Sequence, residues 1–170
     1  MKQAPLSSSA EDENTALRKN AANENLDFGI LANRIGFHLR LAQAASFQAF
    51  RDEAREIDLS PGRFATLMLI GRNPGISQTT LAAANGRDKS TLTPILEDLE
   101  KRGFVKREKM KSDRRSYQLT LTENGRKKLA ELTACAKRHD ENLDRIVGPK
   151  DRAKFLKILQ KIAAEVGHKE

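Results

Sequence analysis

The sequence predicts a mainly α-helical protein carrying one small β-hairpin. Three observations lead there. From Phe28 onward, apolar residues recur at three- and four-residue steps over most of the chain. Only two short stretches, FVKRE and SYQLTLT, alternate or run in the manner of strands. Charge is high (32%) and aromatic content low (5%, no Trp), which suits surface-rich helices better than a thick α/β core.

Residues 1–26 are polar, rich in Ser, Asn and Glu, and lack an apolar period, so a disordered tail is expected there. From Phe28, Leu31, Ile35, Leu39, Ala42, Ala45, Ala49 and Glu53 mark one long amphipathic helix. Ser60 and Pro61 are an N-cap and first helical residue, opening a short, mostly apolar helix closed by NPG. Ser77 caps QTTLAAANG, which Gly86 stops. The next helix is capped by Asp88 or Ser90, with its start placed near Ser90. Leu92, Ile95, Leu96 and Leu99 are its buried stripe, and Gly103 ends it. Pro94 is tolerable close to the first turn, where at most one backbone bond is lost. The two strands then form a hairpin, in which Tyr117, Leu119 and Leu121 share a face. Thr122 caps a long helix to about Ile146, and DRAKFLKILQKIAAEV makes the last one.

The bulk numbers bound the partners. A net charge of +8 and a pI near 9.8 favour nucleic acid or an anionic surface. The single cysteine, Cys135, excludes an internal disulfide framework and fits a reducing compartment. The three histidines show no metal-ligand spacing, and no cofactor is expected. No apolar run approaches the roughly 20 residues that span a bilayer. MKQAPLSSSAEDENTALRKN has no apolar segment of the secretory kind. The expected location is the cytoplasm, away from membranes.

Two short helices joined by a tight turn, with a hairpin directly behind them, describe a winged helix-turn-helix over residues 61–122. Between Lys101 and Arg115 stand eight cations against two acids, a net +6. Neutralised phosphates release counterions, so such a window makes binding to double-stranded DNA strong and salt-sensitive. The wing tip gathers Lys109, Lys111, Arg114 and Arg115 around Asp113, which is set to orient the Arg115 guanidinium. Lys89, Ser90, Thr91 and Thr93 open the second helix and are the candidates for base edges. Ser77, Gln78 and Thr79 open the preceding helix and suit phosphate contacts. Ser77 and Asp88 serve equally well as plain caps.

With these residues in view, the chain resembles the MarR family of winged helix-turn-helix transcription regulators, from about Leu31 to the last helix. DRRSYQLTLTENGRKKL is similar to that family's wing, and STLTPILEDLEKRGFVKR to its recognition helix and following strand. The resemblance implies a homodimer, with residues 27–60 and 123–170 as its intertwined helical region, seated on a palindrome. Phe155, Ile158, Leu159 and Ile162 agree, since they have little core of their own to enter; packing within the chain is the alternative. LANRIGFHLR is similar to the first helix of the organic-hydroperoxide-sensing branch, but Gly36 stands where that branch has its reactive cysteine. Cys135, in a later helix, reads as a small packing residue.

The resemblance also implies release from DNA by a small molecule. Arg34 and His38, four apart on the first helix, with Arg63, Phe64 and Met68 opposite, make a cationic rim over an apolar slot. That suits an aromatic acid or its CoA thioester. The same residues equally describe close packing against alanines with surface ion pairs. A ligand-independent winged-helix protein, or a nucleic-acid architectural protein, is the alternative. An enzyme is not expected: there is no nucleophile with a base, no Gly-rich phosphate loop and no His/Cys cluster.

Overall fold

A computed structural model describes residues 26–55, 57–109 and 117–167. The expected tail therefore lies outside the described residues apart from Leu26, and so does the wing tip from Lys111 to Arg115. After a 3-10 turn, Gly29–Asn33, come α1 (Ile35–Glu53), α2 (Pro61–Arg72), β1 (Ile76–Ser77), α3 (Gln78–Ala84) and α4 (Lys89–Lys101). Then follow β2 (Val105–Lys109), β3 (Tyr117–Leu121), α5 (Glu123–Val147) and α6 (Arg152–Gly167). The chain divides into two compact units within α1, one up to Ser46 and one from Phe47.

In the first unit, the single long helix expected from Phe28 is two pieces. Asp27 Oδ1 accepts from Gly29 N at 2.8 Å and starts the 3-10 turn. Arg34 then adopts an extended conformation (φ −106°, ψ 117°) and interrupts the backbone ladder. Leu31 thus lies outside the helical stripe. Apolar spacing alone does not see the break, because a 3-10 turn also repeats near three residues.

The second unit is built on the expected caps. Ser60, Ser77 and Thr122 accept from Arg63 N, Thr80 N and Gly125 N respectively. For α4 the cap is Asp88, whose Oδ1 accepts from Thr91 N at 2.7 Å, so the helix starts at Lys89. Pro94 consequently stands in the second turn. Its missing N–H leaves the Ser90 carbonyl, four residues earlier, without its helical donor, and both residues are exposed to water. Gly103 (φ +72°) ends α4. Phe104 N bonds Leu99 O and Gly103 N bonds Glu100 O, so the last carbonyls are satisfied in a left-handed turn that only glycine enters freely.

The core gathers Leu67 and Ile70 of α2, Leu81 of α3, the α4 stripe, Val105, Leu119 and Leu132. Leu92, Leu96 and Leu99 are fully buried, each contributing about 1.5–3 kcal/mol of transfer free energy. The hairpin expected from sequence is present, with Val105 opposite Leu121 and Lys109 opposite Tyr117. A third strand was not expected. Ile76 and Ser77 pair with Leu119 and Gln118, giving the order β1-β3-β2. Two residues are too few to show a period in sequence. On α6, Phe155, Leu156, Ile158 and Val166 are exposed in the single chain. No helix among the described residues is long and apolar enough to cross a membrane.

Candidate nucleic-acid interface

α3, the turn and α4 are the helix-turn-helix, and β2 with β3 forms the wing behind it. The turn is held from beneath. Thr66, fully buried on α2, donates to Gly62 O and accepts from Asn85 Nδ2, both at 2.8 Å. This fixes the end of α3 before α4 begins.

Lys89, Ser90 and Thr91 are exposed on the first turn of α4, and Lys89 has no ion pair among the described residues. Ser90 Oγ donates to Asp88 Oδ1 at 2.6 Å. That bond, with those from Thr91, lowers the Asp88 carboxyl from 3.8 to about 2. Asp88 is therefore a charged cap throughout the physiological range. Thr93 and Gln78 are turned toward each other: Gln78 Nε2 donates to Thr93 Oγ1 at 2.9 Å. Ser77 Oγ and Thr80 Oγ1 lie 2.9 Å apart, and Thr79 is exposed.

The basic window is less free than its formal charge implies. Arg102 Nη1 donates to Asp58 O at 3.0 Å, and Lys106 Nζ sits 2.6 Å from Glu108 Oε1. Arg107 lies with its guanidinium carbon 5.1 Å from the Tyr117 ring centroid, and 3.7 Å separates it from Glu100. Lys101 and Lys109 are exposed and unpaired among the described residues. Lys111, Asp113, Arg114 and Arg115 fall outside them.

Arg107 is the residue the sequence reading missed. In the sequence it is one cation among eight. Strand period already separates it from its neighbours, since it shares a face with the buried Val105 while Lys106 and Glu108 point the other way. A charge on the core-facing register of an amphipathic strand is the available signal; it narrows the choice to Arg107 and Lys109, and only the assembled fold tells those two apart.

The residues expected around an effector are distributed over both units. In the first, Arg34 is the extended residue preceding α1, and its carbonyl accepts from His38 N at 3.2 Å. It is not one turn earlier in a continuous helix, as expected. His38 Nε2 donates to Ala32 O at 2.6 Å. In the second unit, Arg63 Nε donates to Asp98 Oδ2 at 2.7 Å. Phe64 packs on Phe50 with ring centroids 5.7 Å apart, and Met68 is half-buried. Arg63 lines a groove of about 580 Å³ with Arg51, Arg55 and Arg102, facing Asp58 and Asp98; Phe64 and Met68 do not line it. Cys135 is buried, as expected of a packing residue, with Arg138 Nη2 at 3.4 Å from its sulfur.

Known proteins share this arrangement. The MarR family profile matches residues 59–117. A putative transcriptional regulatory protein for the hcr operon of Thauera aromatica is 32% identical over 135 residues, covering 79% of this chain and 81% of its own length. The transcriptional repressor CouR, bound to a 23-mer DNA duplex, superposes with a TM-score of 0.75 at 35% identity, over 82% of this chain and 99% of CouR. CouR bound to p-coumaroyl-CoA gives 0.76 at 32% identity, over 83% and 99%. The PcaV regulator of Streptomyces coelicolor, 23% identical with a TM-score of 0.76, shares the fold. Likeness of this extent, over a helix-turn-helix with its wing, shows that the chain belongs to the MarR family of DNA-binding, dimeric, ligand-responsive transcription regulators, which catalyse no reaction.

Proposed function

We propose that this protein is a cytoplasmic repressor, held on a palindromic operator and released by an anionic aromatic small molecule or its CoA thioester. The observation that carries the effector class is the likeness, over nearly the whole of its length, to a CouR repressor bound to p-coumaroyl-CoA. The exposed first turn of α4 supports the DNA half of the reading.

On DNA, Lys89, Ser90 and Thr91 meet base edges, and Ser77 and Thr79 sit against the backbone. Lys109 begins the wing contact, and Lys111, Arg114 and Arg115 continue it, with Asp113 orienting Arg115. Each phosphate neutralised steepens the dependence of log K on log salt by about 0.9. Residues 27–60 and 123–170 dimerise; the exposed apolar residues of α6 support this, because burial against a partner helix is their natural cover. The effector contacts we assign are Arg34 and His38 in the first unit and, separately, Arg63, Phe64 and Met68 in the second. Release requires the effector to bind the DNA-incompetent form more tightly than the DNA-competent one.

The test is titration of the purified protein onto its own upstream intergenic DNA, with and without hydroxycinnamoyl-CoA thioesters and free aromatic acids. Loss of binding with one of these supports the repressor and names its ligand class. Tight, sequence-specific binding indifferent to all of them refutes the effector class. Equal affinity for random DNA refutes operator recognition and favours an architectural protein.

A further inference from the structure

Three hydrogen bonds run in one direction from the wing to the recognition helix. Arg107 Nη2 donates to Gln78 Oε1 at 3.1 Å, Gln78 Nε2 donates to Thr93 Oγ1 at 2.9 Å, and Thr93 Oγ1 donates to Lys89 O at 2.7 Å. The polarity of this relay is imposed at both ends. A guanidinium has no acceptor and a peptide carbonyl has no donor. The Gln78 carboxamide must therefore show its oxygen to Arg107 and its amide nitrogen to Thr93. A flipped amide would set donor against donor at Arg107.

The head of the relay is itself held. The Arg107 side chain is only 16% exposed, braced by Glu100 of α4 and stacked on Tyr117 of β3. Its bond to Gln78 is charge-assisted, and each link polarises the next. β2, α3 and the first turn of α4 are thus tied through three side chains that meet nowhere in sequence.

We propose that Arg107 is a positioning residue for sequence reading. Through Gln78 and Thr93 it sets the first turn of α4 against the wing, so that Lys89, Ser90 and Thr91 meet base edges in one fixed register. The proposal rests on α4 being the helix that enters the groove. It changes the roles of Gln78 and Thr93, which sequence alone puts among the direct contacts: their polar atoms serve the relay. It also separates Arg107 from the phosphate-binding cations, because its guanidinium is committed within the protein.

The experiment compares wild type with Arg107→Met and Gln78→Met, full-length. Dissociation constants are measured on the protein's own upstream operator duplex and on a scrambled duplex of equal length, across a salt series. The relay expects the operator-to-scrambled ratio to fall about tenfold in both variants, the scale of one lost base-discriminating contact. Affinity for the scrambled duplex and the salt slope stay near wild type. Gln78→Met and Thr93→Val combined lose no more than either alone, since one broken link opens the whole chain. Gln78→Met is charge-neutral, so it carries the test even where Arg107→Met folds poorly.

Equal weakening on both duplexes with a slope flatter by about one unit makes Arg107 a phosphate contact and overturns the proposal. Wild-type discrimination in both methionine variants overturns it too, while leaving α4 as the reading helix. Absence of discrimination in the wild type itself removes the α4 reading and the relay with it.

Discussion

Among the described glycines, Gly125, three residues after the Thr122 cap, is the one where an added Cβ meets the nearest obstacle. A Cβ there would stand 2.0 Å from Phe104 O, 2.9 Å from its carbonyl carbon and 3.2 Å from its Cα. The obstacle is backbone, so no rotamer change relieves it. The same carbonyl accepts from Thr122 N at 3.0 Å, and Thr122 Oγ1 donates to Gly103 O at 2.6 Å. Moving Phe104 aside therefore strains the junction of β2 with the start of α5. Overpacking of this kind costs about 1–3 kcal/mol. A weakened hydrogen bond adds about 1, and the better helix propensity of alanine returns up to about 1. Gly125→Ala is expected to destabilise by about 2–3 kcal/mol, lowering Tm by roughly 4–12 °C for a chain of this size. The contrast is Gly36→Ala on α1, where a Cβ meets nothing within 4 Å and the change is neutral or slightly stabilising. Both are read by thermal and urea unfolding at one fixed protein concentration, because a dimer's stability depends on it. A Gly125→Ala melt within a degree of wild type would refute the close-approach argument.

Thr66→Val keeps the shape of a fully buried side chain but strips Asn85 Nδ2 of its acceptor, and urea unfolding is expected to show a loss of about 1–3 kcal/mol. Asp88 titrates near 2 in the folded protein against an ordinary 3.8, so its stabilisation is complete above 3.8 and is lost as pH falls from there toward 2. Asp88→Asn, still a good cap, loses that dependence; parallel unfolding midpoints for wild type and variant from pH 5 to 2 would contradict it. Arg115→Ala is expected to weaken binding to all duplexes and flatten the salt slope by about one unit, whereas Lys89→Ala also relaxes sequence preference. A salt series on operator and scrambled DNA separates the two. Arg34→Ala and His38→Ala are expected to leave DNA affinity intact and blunt release by effector; unchanged release in both moves the effector site elsewhere.

What the sequence determined by itself was local. Ser60, Ser77 and Thr122 are legible as caps because a hydroxyl three residues before a helical amide needs no tertiary context. The α4 stripe is legible because Leu92, Leu96 and Leu99 repeat at helical spacing, and the hairpin because Tyr117, Leu119 and Leu121 alternate. The resemblance of the wing and recognition helix to MarR regulators was legible for the same reason, being carried by contiguous residues. Tertiary structure decided everything that depends on two distant segments meeting. It made a side chain at Gly125 costly by bringing Phe104 O against it, and added β1 because Leu119 offered Ile76 a partner. Among the described residues of the basic window, it left Lys101 and Lys109 exposed and enclosed most of the Arg107 side chain. Arg107 and Lys109 are two residues apart and carry the same charge, yet one is enclosed by Gln78, Glu100 and Tyr117 and the other faces solvent. Burial and hydrogen-bond direction are properties of the assembled fold, and composition and spacing do not contain them.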